Sequence, residues 1–75
     1  MDIQLTPGEI QDLRRIQKKG KFHRRRFIKA TVLLMLHRGV SIDMICASLS
    51  LDEDTVYRYA KTFREKGLKA FLKVG

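Results

Sequence analysis

Residues 42–49 and 53–66 carry apolar side chains at helical spacing, and only three residues separate the two segments. The apolar positions are Ile42, Ile45, Cys46 and Leu49 in the first segment and Val56, Tyr59, Ala60 and Phe63 in the second. This i, i+3, i+4, i+7 pattern is typical of an amphipathic helix. Two short amphipathic helices joined by so short a connection predict a helix-turn-helix, and the alternative is a plain helical hairpin in a small bundle.

The connection between these helices has residues that suit a helix-turn-helix. Cys46 provides a small side chain where the two helices are expected to cross. Ser50 occupies the turn position that usually adopts a left-handed backbone. Because glycine is the usual residue there, we expect Ser50 to cost about 1 kcal/mol. Leu51 adds an apolar residue just after the turn, and Asp52 is the expected N-cap of the second helix.

A further helix is predicted near the N-terminus by the residues at its two ends. Thr6 is a natural N-cap, Pro7 suits the first helical position, and Glu9 completes a capping box. The helix is therefore expected over about residues 7–19, with its end at Gly20.

The segment between Gly20 and Gly39 predicts another helix, over roughly residues 22–38. Its second half, residues 27–36, is apolar on nearly every side, which is typical of a helix surrounded by other helices. Its first half contains Arg24–Arg26, where cations oppose the helix macrodipole and no Ser, Thr, Asp or Asn caps the end. Because departures from local rules are enriched at functional positions, we interpret these arginines as a binding site rather than a solvated face.

These four segments predict an all-α fold, because no part of the chain has a strand pattern. We expect four short helices, with a homeodomain-like three-helix core that contains the helix-turn-helix at about residues 42–66, plus the N-terminal helix. Residues 1–75 form a single domain in this interpretation, near the lower size limit for one self-sufficient core. Hydrophobic residues make up 44% of the chain, enough for that core. Residues 67–75 are expected to form an apolar-rich tail, and the two alternatives for it are docking on the core and a dimer contact.

The charge of the chain indicates an acidic partner. The formal net charge is +8, and the segment from Arg14 to Lys29, both included, contains nine basic residues and no acid. Nucleic acid is the commonest partner of such a chain, and a membrane surface is the usual rival. No apolar run reaches the ~18 residues of a membrane span. A surface-bound basic helix would also need an exposed apolar face, which the predicted core consumes, so we expect no membrane partner.

Chemistry beyond binding is not expected from the titratable residues. Cys46 is the single cysteine, which rules out an internal disulfide, and no histidine or acid is spaced to activate it. His23 and His37 lie roughly 21 Å apart on one predicted helix, too far to share a metal. We therefore expect no enzyme activity, catalytic residue, metal, cofactor or small-molecule substrate. The lone thiol favours an intracellular protein, cytoplasmic and, in a bacterium, associated with the nucleoid.

The face of the fourth helix opposite its apolar positions is the candidate DNA-binding surface. In a helix-turn-helix this face enters the major groove, with its N-terminal residues nearest the base edges. Candidates for base-edge contacts are Glu53, Asp54, Tyr57 and Arg58, of which Arg58 is the strongest for guanine. Candidates for phosphate contacts are Arg24, Arg25, Arg26, Lys29, Ser41, Thr55, Lys61 and Thr62.

Three consecutive acids, residues 52–54, stand at the start of this helix in an otherwise basic chain. One explanation is local, with Asp52 as the N-cap and the next two acids favoured by the helix dipole. A second is direct base contact, with Glu53 or Asp54 accepting a hydrogen bond from a cytosine amino group. In the third, the helix faces a protein rather than DNA.

The stretch "GVSIDMICASLSLDEDTVYRYAKTFREKGLKAF" resembles the N-terminal helix-turn-helix domain of mariner-like bacterial insertion-sequence transposases. The matching elements are Leu5–Pro7, Arg24–Leu36, Gly39–Ser41, and Thr55–Tyr59 through Phe63 to Gly67–Leu68. The resemblance implies binding at the ends of a mobile element. In that family catalysis belongs to a separate domain with an acidic, metal-binding triad, and a second DNA-binding unit follows the first. Because this chain ends at Gly75, we expect a fragment, a truncated remnant or a stand-alone relative.

The leading hypothesis is therefore sequence-specific binding of double-stranded DNA by a transposase-like domain that lacks the catalytic domain. The same motif also suits a small transcriptional regulator or an antitoxin-like repressor. From another class, a protein-interaction adaptor would use the fourth helix and the apolar tail. A single helix-turn-helix contacts only a few base pairs, so the pattern also allows a homodimer.

Overall fold

The computed structural model describes residues 3–19 and 23–73 and contains four α-helices. They are α1 (Pro7–Lys18), α2 (Arg24–His37), α3 (Ile42–Leu49) and α4 (Glu53–Lys73). The described residues contain no strand, which confirms the all-α prediction. α2 contacts all three other helices, and α3 packs on α4. α2, α3 and α4 thus pack on one another, and α1 adds to the same core by packing against α2 with Leu13 fully buried.

The helix ends agree with the sequence prediction to within two residues, except in α4. α3 has the predicted bounds, while α1 and α2 each end one residue earlier than predicted. α2 begins at Arg24, after His23, whose backbone is not helical. The predicted start at residue 22 and the predicted stop of α1 at Gly20 lie outside the described residues.

The predicted end of the fourth helix near residue 66 coincides with a break in α4. At Gly67 the backbone leaves the helical region, with φ 84° and ψ 176°, and helical turns then resume and continue to Lys73. We call residues 68–73 the post-kink segment. Leu68, Phe71 and Leu72 keep the i, i+3, i+4 spacing of an amphipathic helix, and Phe71 is buried in the core. This docking explains why the segment is ordered as a helix. Residues 74–75 of the predicted tail lie outside the described residues.

α2 supplies the centre of the core, as its apolar composition predicts. The buried apolar side chains of this helix are Ala30, Val32, Leu33, Leu34 and Leu36. Around them lie the following buried residues from the rest of the chain: Ile3, Leu5, Leu13, Ile45, Val56, Ala60, Phe63 and Phe71. The segment before α1 is held to the end of α2 by a hydrogen bond, in which the Leu5 backbone N–H donates to Nδ1 of His37 at 3.2 Å.

The predicted capping residues are confirmed. At the start of α1 the Glu9 N–H donates to Thr6 Oγ1 at 3.2 Å, and the Thr6 N–H donates to Glu9 Oε1 at 2.9 Å, which is a complete capping box. Ser41 caps α3 by accepting from the Met44 N–H at 3.2 Å. These bonds satisfy amides that a helix start otherwise leaves without a partner.

Candidate nucleic-acid interface

The turn between α3 and α4 has the backbone geometry of a helix-turn-helix. Ser50 follows α3 and adopts left-handed φ and ψ of 56° and 44°, as predicted for the turn position. Its N–H donates to the carbonyl of Cys46, which closes the end of α3. Asp52 then accepts a hydrogen bond from the Thr55 N–H at 3.0 Å through Oδ1, and α4 begins at the next residue, Glu53. The end of α3 and the start of α4 are therefore both fixed by hydrogen bonds, and together they set the angle between the two helices.

α4 has a buried side and an exposed side, as its periodicity predicts. Val56, Ala60 and Phe63 are buried against α2 and α3. The exposed positions on the opposite side, which we call the outer face of α4, are Asp54, Tyr57, Arg58, Lys61 and Glu65. The helix-turn-helix therefore presents a full helical face to solvent.

The structure brings most of the predicted base-edge candidates together. Asp54, Tyr57, Arg58 and Lys61 line one shallow depression together with Asp52. Tyr57 is 45% exposed, although it is a large aromatic residue. Its ring and hydroxyl group are therefore accessible from solvent.

Arg58 is held in place by a neighbour on its own helix. Its Nη2 atom lies 3.4 Å from Oγ1 of Thr55, so the guanidinium is partly oriented before any ligand binds. Thr55 and Thr62, two of the predicted phosphate contacts, are only half-buried and lie on the flanks of the outer face. Of these, Thr55 is already engaged with both Asp52 and Arg58.

The first acid of the run at residues 52–54 has a local role. Hydrogen bonds from the side chain and the backbone N–H of Thr55 hold the pKa of Asp52 below its usual value. Asp52 is therefore the N-cap of α4, which confirms the local explanation for this residue. Glu53 and Asp54 lie in the first turn, where the helix dipole favours negative charge. Base contact by either of them stays a prediction.

Cys46 lies beside this acidic turn and packs partly against the core. Burial, and then the negative charges of Glu53, Asp43 and Asp52, raise the pKa of its thiol. A thiol in such surroundings stays protonated and is a poor nucleophile. Its environment therefore agrees with a packing role at the crossing of α3 and α4.

The arginine run begins α2 and is exposed. His23 makes no side-chain capping bond, and the first turn of α2 contains no acid. Arg24–Arg26 and Ser41 lie at opposite ends of α2, roughly 20 Å apart along its axis. These phosphate candidates are not neighbours, so a single duplex would have to contact them at separate places along its backbone.

The structure corrects the prediction for Lys29. Instead of facing solvent, this residue is 6% exposed, and its Nζ donates a hydrogen bond to the carbonyl of Phe71 at 3.1 Å. The ammonium also lies over the rings of Tyr59 and Phe71, at 5.6 Å and 5.2 Å from the centroids. Burial, followed by repulsion from Arg25 and Arg26, lowers its pKa. Lys29 is thus a core residue, and we withdraw it from the set of phosphate contacts.

One exposed apolar residue was not among the predicted contacts. Met44, on α3, is 61% exposed. The periodicity of α3 already contained this information, because Met44 falls outside the apolar set at residues 42, 45, 46 and 49. Its position in the first turn of the helix capped by Ser41 places it near the start of the helix-turn-helix.

Within residues 3–19 and 23–73, no three His, Cys, Asp or Glu side chains are grouped so that they could hold a metal ion. None of the helices described is long and apolar enough to cross a membrane.

Comparison with known proteins identifies the motif. A family model described as winged helix-turn helix matches residues 29–75, which include all of α3 and α4 and most of α2. No curated protein and no solved structure matches the chain. The match indicates a DNA-binding helix-turn-helix. Residues 29–73 of the matched region contain no strand that could form a wing.

Proposed function

The chain belongs to the winged helix-turn-helix family, and on this basis we propose that it binds double-stranded DNA sequence-specifically through the outer face of α4. One observation carries the proposal. The helix-turn-helix holds α4 by its buried side and leaves Tyr57, Arg58 and Lys61 exposed on the opposite side. An α-helix with such a face fits the major groove of B-DNA.

The residues of this face contact different parts of the DNA. Arg58 donates to O6 and N7 of a guanine, the commonest specific contact in the major groove. Tyr57 packs on a thymine methyl group or donates its hydroxyl to a phosphate. Lys61 lies one turn further from the N-terminus of α4 and contacts the phosphate backbone.

The phosphate backbone supplies most of the binding energy in this proposal. Arg24–Arg26 bind phosphates from the start of α2, and Ser41 with the N-terminus of α3 binds one from the other end. If four to six phosphates are neutralised, log K falls with log salt at a slope of about −4 to −5. The net charge of +8 adds a long-range attraction that speeds association.

We further propose that the target is the end of a mobile element, and that this chain is the binding module of a transposase-like protein without catalytic chemistry of its own. The support is the resemblance of Arg24–Leu36, Gly39–Ser41 and Thr55–Tyr59 to the end-binding domain of mariner-like transposases. A transcriptional regulator would use the same outer face, and only the position of its target would differ.

The test is a titration of the chain into labelled mixed-sequence duplex, followed by anisotropy at two salt concentrations. We expect binding that weakens steeply with salt. A selection from random duplex then gives the target sequence, and Arg58→Ala should weaken binding to it by about 1–3 kcal/mol. Arg14→Ala is the matched control, because Arg14 is an exposed arginine on α1, away from the outer face.

Three results would decide between the proposals. Failure to bind duplex at low salt would overturn DNA binding altogether. Equal losses for Arg58→Ala and Arg14→Ala would mean that the contact is electrostatic and not sequence-specific. A selected sequence found at terminal repeats of an element supports the transposase type, whereas one found only upstream of the chain's own gene supports a regulator.

A further inference from the structure

A groove of about 350 Å³ lies away from the outer face of α4. One wall comes from the C-terminal half of α1, the other from the post-kink segment, and the start of α2 closes one end. None of its lining residues belongs to the depressions that surround Tyr57. The groove is therefore a surface separate from the proposed base-contacting face.

The floor of the groove is apolar. Ile16 of α1 and Leu68 and Leu72 of the post-kink segment line it, and all three are only half-buried. Leu68 and Leu72 are four residues apart and stand on one side of their helix. Two helical walls with apolar side chains between them form a seat in which the apolar side of a third helix can pack.

The rim of the groove is strongly basic. Arg15, Lys19, Arg26 and Lys69 line it together with His23. The single acid in the lining is Asp12, whose Oδ1 lies 3.7 Å from Nη1 of Arg15, so it already has a basic partner. α2 begins directly after His23, which makes no side-chain capping hydrogen bond. The dipole of α2 therefore adds to the positive potential at this end of the groove.

We propose that this groove binds an acidic amphipathic helix from a partner protein. Leucine-like side chains of the partner cover Ile16, Leu68 and Leu72, and its carboxylates pair with the basic rim. One carboxylate caps the start of α2. Apolar burial and charge complementarity are satisfied by the same ligand only if it is both acidic and apolar on one side.

Duplex DNA fits this groove less well than such a helix. Phosphates and sugars would satisfy the rim but leave the three apolar side chains of the floor in contact with water. Arg26 is shared between this rim and the proposed phosphate contacts, whereas Tyr57, Arg58 and Lys61 of the outer face do not line the groove. The inference does not depend on sequence-specific DNA binding and stands if that proposal fails.

The probe is a labelled synthetic peptide of glutamate and leucine, with leucines at i, i+3, i+4 and i+7, and anisotropy measures its binding to the whole chain. A control peptide has glutamine at the leucine positions. The test variant is Lys19→Glu with Lys69→Glu, at the rim. The matched control is Lys18→Glu with Lys66→Glu, since those lysines are exposed neighbours on the same helices but do not line the groove.

We expect the leucine peptide to bind the unmodified chain and the matched control equally, and the rim variant roughly tenfold more weakly. Amide chemical-shift changes should centre on Ile16, Leu68 and Leu72. Equal weakening by both double variants would overturn the proposal, because only net charge would then matter. The proposal would also be overturned if the control peptide bound the unmodified chain as tightly as the leucine peptide. This comparison requires no protein variant.

Two further outcomes would assign the groove to another occupant. If duplex DNA displaces the peptide and shifts the same floor amides, the groove belongs to the DNA interface and the proposal fails. If the chain self-associates and the rim variant alone abolishes this, while the peptide does not bind, the occupant is a second copy and the proposal also fails. In each case the salt titration of the outer face remains an independent result.

Discussion

The ammonium of Lys29 donates a hydrogen bond to the backbone carbonyl of Phe71, forty-two positions later in the chain. The Phe71 ring in turn meets the rings of Tyr59 and Phe63 edge-on, at centroid distances of 5.7 Å and 6.5 Å. One lysine thus ties the helix of the arginine run to the post-kink segment and to the buried side of α4.

Replacing this lysine should damage stability and not DNA binding. Lys29→Met keeps most of the side-chain volume but leaves the Phe71 carbonyl without its charged donor. We expect a loss of about 1.5–3 kcal/mol in the free energy of unfolding, measured by urea denaturation. The slope of log K against log salt for duplex binding should stay unchanged, because the ammonium does not reach a phosphate.

Lys61→Met is the matched control for that experiment. Lys61 is exposed on the outer face of α4, so its removal should leave stability nearly unchanged. It should reduce the magnitude of the salt slope by about 1, as expected for one lost phosphate contact. If Lys29→Met also reduced the slope by that amount with no loss of stability, the buried assignment of Lys29 would be wrong.

Removing the side chain of Ser50 should stabilise the turn between α3 and α4. Its φ of 56° is unfavourable for any residue with a Cβ atom, and glycine adopts it without strain. We expect Ser50→Gly to raise the free energy of unfolding by about 1 kcal/mol. Ser48→Gly, two residues earlier and inside α3, should instead lower it by roughly 0.5 kcal/mol. Thermal melts of the two variants check both signs, and destabilisation by both would contradict the argument.

The cap of α4 should make stability depend on acid pH. Because hydrogen bonds from Thr55 lower the pKa of Asp52 in the folded chain, its carboxylate stabilises the fold above its ordinary pKa of 3.8. This contribution is lost as the pH falls through the lower, folded value. Asp52→Asn keeps a capping side chain that does not titrate, so its free energy of unfolding relative to wild type should rise as the pH falls through that window.

Asp52→Ala provides the comparison that separates capping from charge. It should be less stable than Asp52→Asn at neutral pH, because alanine cannot accept the Thr55 N–H. Both variants should lack the acid-dependent component of wild type. Denaturation at a series of pH values measures this, and parallel acid profiles for wild type and Asp52→Asn would contradict the assignment.

The sequence was sufficient for features that depend on neighbouring residues. The capping box of Thr6 and Glu9, the left-handed Ser50 and the bounds of α3 each rest on local hydrogen bonding and spacing, and each was predicted. Lys29 was not, because its burial depends on Phe71, far along the chain, and it directly follows a run of exposed basic residues. The sequence left the post-kink segment open between docking on the core and a dimer contact, for a related reason. Gly67 indicates only that the helix is interrupted there. It gives no information on whether the turn after it packs against α2.

Glu53 and Asp54, the two acids that follow Asp52, either favour the helix dipole of α4 or contact DNA bases. If their role is to favour the helix dipole, Glu53→Gln and Asp54→Asn should leave the selected target sequence unchanged and strengthen binding to any duplex, because unneutralised carboxylates near phosphates are removed. Glu65→Gln, an exposed acid later on the outer face, should strengthen binding without changing the sequence either. We expect this pattern in a selection from random duplex followed by anisotropy. Loss of a cytosine preference in one of the first two variants alone would instead identify that acid as a base contact.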